Sequence, residues 1–337
     1  MRIAVINRSP GVYNLATHKM LIKYRREQNE VFFSRAADFW ALRADKAFIS
    51  IIFTYDLPGA CQDINLLKSA GVEVEVGGPA ATAMPQYIEE KTGITPHIGL
   101  DDRYEWTPGK FKMTFTSRGC RNKCPWCIVP LIEPERREYN NFLVPVGDNP
   151  SIGDNNLLAT SWEHQQIVVN KLRNVHNLDI NSGLEAALFT EEHYQLYSQL
   201  HLERWRFAFD SMGAERGFER AIKILKNHEI RYSNISVFVL IGFPGTTFEE
   251  AVYRLEKART LGCSPYPQRF MPLHSVQARN YVAPGWDAEK LKALRAYWTS
   301  AFIWRSCTFE EFKVKYKSEL VNIDNKNSLF DEENEKT

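Results

Sequence analysis

No segment of this 337-residue sequence is apolar for long enough to span a bilayer, so an integral membrane protein is not expected. Neither sign of charge dominates. With 42 Lys and Arg against 41 Asp and Glu, no global field draws the chain to nucleic acid or to an anionic membrane. Basic and aromatic residues mix only around Lys23-Tyr24-Arg25-Arg26 and from Arg305 to Lys317, a thin basis for a nucleic-acid scaffold. A disulfide framework is missing too: Cys61, Cys263 and Cys307 are scattered, and a reducing cytoplasm is the expected compartment. The opening residues Met1 to Asn7 read as a strand and not as a signal peptide. Composition is otherwise that of an ordinary globular protein, 44% hydrophobic and 25% charged.

What the sequence does have is the run Ser117-Arg118-Gly119-Cys120-Arg121-Asn122-Lys123-Cys124-Pro125-Trp126-Cys127, directly after the apolar segment Met113-Thr114-Phe115-Thr116. Three thiolates this close can converge on one inorganic centre, and no further cysteine or histidine stands near enough in sequence to complete the set. A structural zinc site takes four closed ligands, and a cluster held by protein alone normally takes four cysteines. A cluster on these three would keep one iron open to a small molecule. The rival is a zinc- or iron–sulfur-binding module without catalysis.

The C-x3-C-x2-C spacing, with an aromatic residue before the last cysteine, resembles the signature of the radical S-adenosylmethionine (SAM) enzymes. The resemblance implies that Cys120, Cys124 and Cys127 hold a [4Fe–4S] cluster whose fourth iron binds SAM. Reductive cleavage then yields a 5′-deoxyadenosyl radical, the electron coming from a flavodoxin- or ferredoxin-like donor. Arg118, Arg121 and Lys123 would put positive charge beside the anionic cluster.

Residues 1–108 alternate strands (2–6, 31–34, 47–54, 72–76) with helices (15–28, 61–70), the pattern of an open parallel sheet. The near-continuous apolar run 47–54 suits a strand buried on both faces. With Gly77-Gly78-Pro79-Ala80-Ala81-Thr82 leading to Pro85, this region resembles the cobalamin-binding domain that precedes the radical core in one branch of the family. Its base-off signature, Asp-x-His-x-x-Gly, is absent, and Asn7-Arg8-Ser9-Pro10-Gly11 stands in its place. A small Rossmann-like domain is therefore expected, degenerate and used as a scaffold or substrate cover. Cobalamin stays open but unsupported by a ligand motif.

From 109 to 310 the alternation recurs on a larger scale. Strands are expected at 112–117, 150–154, 178–181, 206–210, 236–242 and 268–271, and helices at 161–175, 191–202, 214–228, 247–261 and 287–305. Six parallel strands with right-handed crossovers fit the partial (βα)6 TIM-like barrel that the resemblance implies, an α/β fold with its chemistry at the C-terminal strand ends. Residues 311–337 form a C-terminal extension, expected to be partly disordered.

By resemblance, Trp126 packs near the adenine of SAM. The second strand ends in Asp154-Asn155-Asn156, where the family carries a Gly-Gly-Glu-like motif for the amino group of SAM. The literal motif is missing, yet Asp154 and Asn155 offer oxygens that accept from an ammonium. Ser182 and Glu185 follow the third strand, at the level of ribose and carboxylate contacts, although Asn-Ser-Gly is also plain turn chemistry. Asp210 ends the fourth strand, with capping of the next helix by Asp210 or Ser211 as the rival role. Gly242, Phe243 and Pro244 end the fifth, where backbone contacts adenine, before a Thr247-x-x-Glu250 capping signal.

Arg269 and His274 are candidates to face the substrate, and no catalytic residue is assigned. Cys263 and Cys307 lack companions for an auxiliary cluster, and Cys61 alone cannot supply the further cysteines of a methylthiotransferase. The reading is an enzyme that uses the SAM-derived radical to abstract hydrogen from a small-molecule, nucleotide or peptide substrate. A cobalamin-dependent radical SAM methyltransferase is the alternative within the class.

Overall fold

The computed structural model describes residues 1–315, so the polar tail and most of the expected extension 311–337 lie outside the described residues. The fold is mixed α/β with mainly parallel strand pairs, and it divides into two compact units.

The first unit comprises Met1–Glu185, Glu192–Glu203 and Met271–Tyr281. Four strands, β1 (Arg2–Asn7), β2 (Glu30–Ser34), β3 (Lys46–Ser50) and β4 (Glu73–Gly77), form a parallel sheet in the order β2-β1-β3-β4. Successive side chains point to opposite faces. Ile3 and Val5 pack with Leu21 and Phe48 on one, while Ala4 and Ile6 pack with Ile49, Leu57, Ile64 and Val76 on the other. Burial on both faces explains the unbroken apolar reading of β3.

The strand order departs in two directions from β1 and β3, which leaves a crevice at their C-terminal ends. There Asn14 donates to Asn7 Oδ1 (3.2 Å) and Ser50 Oγ (3.0 Å). The β3 ladder stops at Ser50, short of the expected 54: Ile51 N makes its last bond to the Gly77 carbonyl, and the Ile51 carbonyl turns to Ala80 N instead. Gly78, at φ +106°, passes so close that a Cβ would lie 2.5 Å from the Ile51 carbonyl oxygen, an approach only glycine permits.

Five short strands follow: β5 (Met113–Thr114), β6 (Ser117–Arg118), β7 (Arg137–Glu138), β8 (Ser151–Ile152) and β9 (Asp179–Ile180). β5, β8 and β9 pair in parallel in that order. β6 and β7 pair antiparallel, Ser117 opposite Glu138 and Arg118 opposite Arg137, and so close the base of the loop that carries the three cysteines. The strand expected at 112–117 is thus split, since Thr116 turns its N–H to a side chain instead of a neighbouring strand. Helix Trp162–Leu172 starts where Ser161 caps it by accepting from His164 N.

The second unit comprises Ala186–Glu191, Arg204–Phe270 and the described residues from Val282 on. β10 (Trp205–Ala208), β11 (Ile235–Ile241) and β12 (Ser264–Arg269) form a parallel sheet in that order. Helix Phe248–Thr260 opens with the full Thr247–Glu250 capping box read from the sequence. β12 begins at Ser264 and not at 268, because Pro265 and Pro267 disguise it; an edge strand tolerates them. The helix expected over 287–305 is two, Ala288–Thr299 and Ala301–Ser306. Tyr297, Trp298, Phe309 and Phe312 bury an aromatic cluster beside them. No helix among the described residues is long and apolar enough to cross a membrane.

Candidate functional site: a cysteine loop pinned by buried polar side chains

Gly119 introduces the cysteine loop at φ +74°. A Cβ there would lie 2.3 Å from the Glu135 carbonyl oxygen, so the two ends of the loop touch through a glycine. Cys120, Cys124 and Cys127 are each half-buried. A turn joins the last two, with Cys127 N donating to the Cys124 carbonyl at 3.0 Å. Sulfur accepts from nitrogen at Cys120, from Asn122 N (3.4 Å) and Asn156 Nδ2 (3.6 Å), and at Cys127, from Val129 N (3.5 Å). Donors aimed at sulfur favour its anionic form and tune any cluster it carries. Among the described residues, no three His, Cys, Asp or Glu side chains crowd together as ligands of a single metal ion would. Cluster ligands stand at separate corners of a cube and are spread wider than that.

Beneath the loop lies a fully buried polar group. Asp154 accepts from Thr116 N (2.6 Å), from the Thr116 hydroxyl and from Ser117 Oγ (2.7 Å). Burial raises the Asp154 carboxyl against the pull of these donors. His164 Nε2 meets the same Thr116 hydroxyl at 3.0 Å, and burial lowers its pKa, which keeps it neutral near pH 7. Asp154 was a candidate for the amino group of SAM; here its oxygens serve the backbone that leads into the cysteines. Glu133 does the same from the other side, taking Gly119 N (2.7 Å), Asn155 Nδ2 (2.6 Å) and Arg118 Nη1 (3.1 Å). Arg118 is therefore tied down by carboxylates, with its guanidinium also 3.5 Å from the centre of the Phe115 ring.

Asn156, third in the Asp-Asn-Asn run and not preferred there over Asp154 and Asn155, stands against the cysteines. Its Nδ2 contacts both Cys120 Sγ and Glu185 Oε2 (2.5 Å), while its Oδ1 is buried without a partner. Glu185 also meets Arg121 at 3.5 Å. Candidates Glu185 and Asn155 thus stand around the cysteines, joined by an amide oxygen with no donor. Trp126 is half-buried within the loop.

A cavity of about 580 Å3 opens in the same unit. Tyr13, Ser50, Ile52, Gly77 and Gly78 line it from the crevice of the four-stranded sheet; Ile128, Val129 and Ile132 line it from the segment after Cys127. Gly153, Asn155 and Ser182 contribute from beyond β8 and β9. Its size is that of a small-molecule or cofactor site.

Of the remaining candidates, His274 belongs to the first unit, with Nδ1 on the Ala83 carbonyl at 2.9 Å, while Asp210, Gly242, Phe243, Pro244 and Arg269 belong to the second. Asp210 accepts from Leu240 N (2.9 Å), and Arg254, buried, donates to the Phe209 carbonyl (2.9 Å). Burial pushes the Asp210 carboxyl up to about 6, against that N–H bond and the charge of Arg254. Neither Asp210 nor Ser211 caps the following helix, so the rival role for them falls away. At Gly242-Phe243-Pro244 the chain leaves β11, and the Phe243 carbonyl accepts from Thr246 Oγ1 (2.7 Å) and Trp286 Nε1 (3.3 Å).

No protein-family model matches the chain, and no curated protein does. Solved structures do match in fold. One is the radical S-adenosylmethionine methyltransferase TsrM from Kitasatospora setae with cobalamin and a [4Fe–4S] cluster bound, 12% identical at a TM-score of 0.57, over 80% of this chain and 75% of that one. Another is the same protein with its tryptophan substrate and the SAM analogue aza-SAM, 12% identical at a TM-score of 0.56, over 80% and 73%. The chain therefore shares the fold of a cobalamin-binding radical SAM methyltransferase.

Proposed function

We propose that this chain is a radical SAM enzyme of the cobalamin-dependent methyltransferase type. The observation that carries the reading is the cavity, whose walls come from the Gly77-Gly78 crevice and from the segment that directly follows the third cysteine. We read this one pocket as the neighbour of both a corrinoid and a cluster. The fold likeness to TsrM favours methyl transfer over the hydrogen abstraction expected from the cysteine motif alone.

In this reading residues 1–108 are a Rossmann-like cobalamin module and 109–310 a partial (βα)6 barrel. When bound, a [4Fe–4S] cluster on Cys120, Cys124 and Cys127 and a cobalamin in the cavity would supply electron transfer and methyl carriage between SAM and substrate. The chain's own part is to hold and orient. Asn156 offers its bare Oδ1 to the ammonium of SAM beside Cys120. Glu185 and Ser182 are the polar groups we assign to the rest of the SAM head. His97, which also lines the cavity, has Nε2 on the Leu100 carbonyl at 3.1 Å. Together with the missing Asp-x-His-x-x-Gly, this supports a corrinoid held by shape and amide contacts. The electron donor is a flavodoxin- or ferredoxin-like protein in the cytoplasm, and the substrate a small molecule, nucleotide or peptide.

The test is anaerobic reconstitution with iron, sulfide and hydroxocobalamin, followed by SAM and a low-potential reductant. Methyl transfer predicts S-adenosylhomocysteine as the product and cobalamin retained through gel filtration. Leu100→Trp, which fills the cavity, should lose the cobalamin and keep the iron, whereas Cys124→Ala should lose the iron. Production of 5′-deoxyadenosine without cobalamin retention would return the chain to the hydrogen-abstracting class.

A further inference from the structure

The bonds that Glu133 makes are one end of a longer chain of buried charges. Arg118 Nη1 meets Glu133, and its Nη2 and Nε meet Glu105 at 2.9 and 3.1 Å. Glu105 in turn holds Lys19 Nζ, through its carbonyl at 2.8 Å and its carboxylate at 3.4 Å. Lys19 lies on helix Leu15–Arg26, far in sequence from the cysteines, and is itself 9% exposed. All four side chains line the 580 Å3 cavity. Their signs alternate and cancel, so removal of any one leaves a net charge in the chain. Burial lowers the pKa of Lys19; burial opposes the charge of Glu105 too, but Arg118 and Lys19 together outweigh it and hold that carboxyl below its usual value.

We propose that Lys19, Glu105, Arg118 and Glu133 are positioning residues, a relay that carries the state of the cavity wall to the backbone N–H of Gly119 and so sets the cysteine loop. It rests on the functional reading above only for what the loop holds. The relay is a continuous physical network with a defined end point, and any coupling it carries acts in both directions: a cavity occupant that loads Lys19 or Glu105 would order the loop, and a filled loop would order the cavity wall.

Hydrogen–deuterium exchange of the full-length chain, before any reconstitution, reads the loop directly through peptides covering 113–128. Glu133→Gln should speed exchange there by about tenfold, the loss of a charged acceptor for Gly119 N. Lys19→Met should speed the same peptides by about threefold, although its hydrogen bonds go to Glu105 and not to them. Lys23→Met, on the same helix but paired with Glu27, should leave them unchanged. If Lys19→Met fails to fold, Lys19→Gln keeps a donor for the Glu105 carbonyl and tests the charge alone. Faster exchange confined to the helix 15–26 in the Lys19 variants would overturn the relay, because a merely local role predicts that result. Iron and sulfide binding by the wild-type chain is measured separately, so a failure of the cofactor reading leaves the exchange result intact.

Discussion

The first unit holds two parallel sheets that are stabilised in opposite ways. In β2-β1-β3-β4 each pair is joined over five residues in register, and both faces are packed with aliphatic side chains. In β5-β8-β9 each pair is joined over two. The short sheet borders the cysteine loop, and side chains replace the missing ladder: Asp154 takes the N–H of Thr116, Glu133 that of Gly119. A long ladder spreads its stability over many equivalent bonds. A short one concentrates it in a few carboxylates, so the loop can be tuned, or ruined, by single substitutions.

The sharpest way to break this contrast is Asp154→Ala. It strips three donors of their acceptor in a dry site, and the cost should be about 3 kcal/mol in denaturant unfolding, with faster exchange at Thr116 and Ser117. A cost near zero would mean that the short sheet does not depend on its carboxylates.

The second unit offers an intermediate case, since Asp210 ties β10 to the longer β11. Its folded pKa, about 6, lies above that of an unfolded aspartate, so the folded state takes up its proton first as pH falls. Wild type should therefore gain stability relative to Asp210→Asn between pH 7 and 4, by about 2 kcal/mol at most, and lose that gain as pH rises through 6. Thermal unfolding of both proteins across this range checks the sign.

The smallest effect belongs to the long ladder. Ile3→Val should cost about 1 kcal/mol through the lost methylene and leave exchange around the cysteines as in wild type.

The same contrast governs what the sequence discloses. β1 and β3 are readable to within a few residues because burial on two faces writes an apolar run into the chain, and the edge strands β2 and β4 by their shorter β-branched and aromatic stretches. The cysteine motif is readable because its spacing is local. Asp154 and Asn155 stand out as polar residues after a strand, but which partner an oxygen takes depends on residues far away in sequence. Asp154 meets Thr116 across 38 positions, and Lys19 meets Glu105 across 86. No periodicity encodes such pairs, so Glu105 and Glu133 look like ordinary surface acids until the chain is folded. Asn156 is different, since its place in the Asp-Asn-Asn run was visible and only the orientation of its amide was not.

The two prolines of β12 have a consequence beyond their disguise of the strand. Pro265 and Pro267 are both buried and two residues apart, so their nitrogens fall on the same side of the strand. With β11 paired on the other side, the edge of this sheet lacks two of the donors that an incoming strand would need. A sheet built this way is a poor template for recruitment of another chain, a useful property in a protein whose aromatic-rich second unit would otherwise be prone to aggregate while it folds.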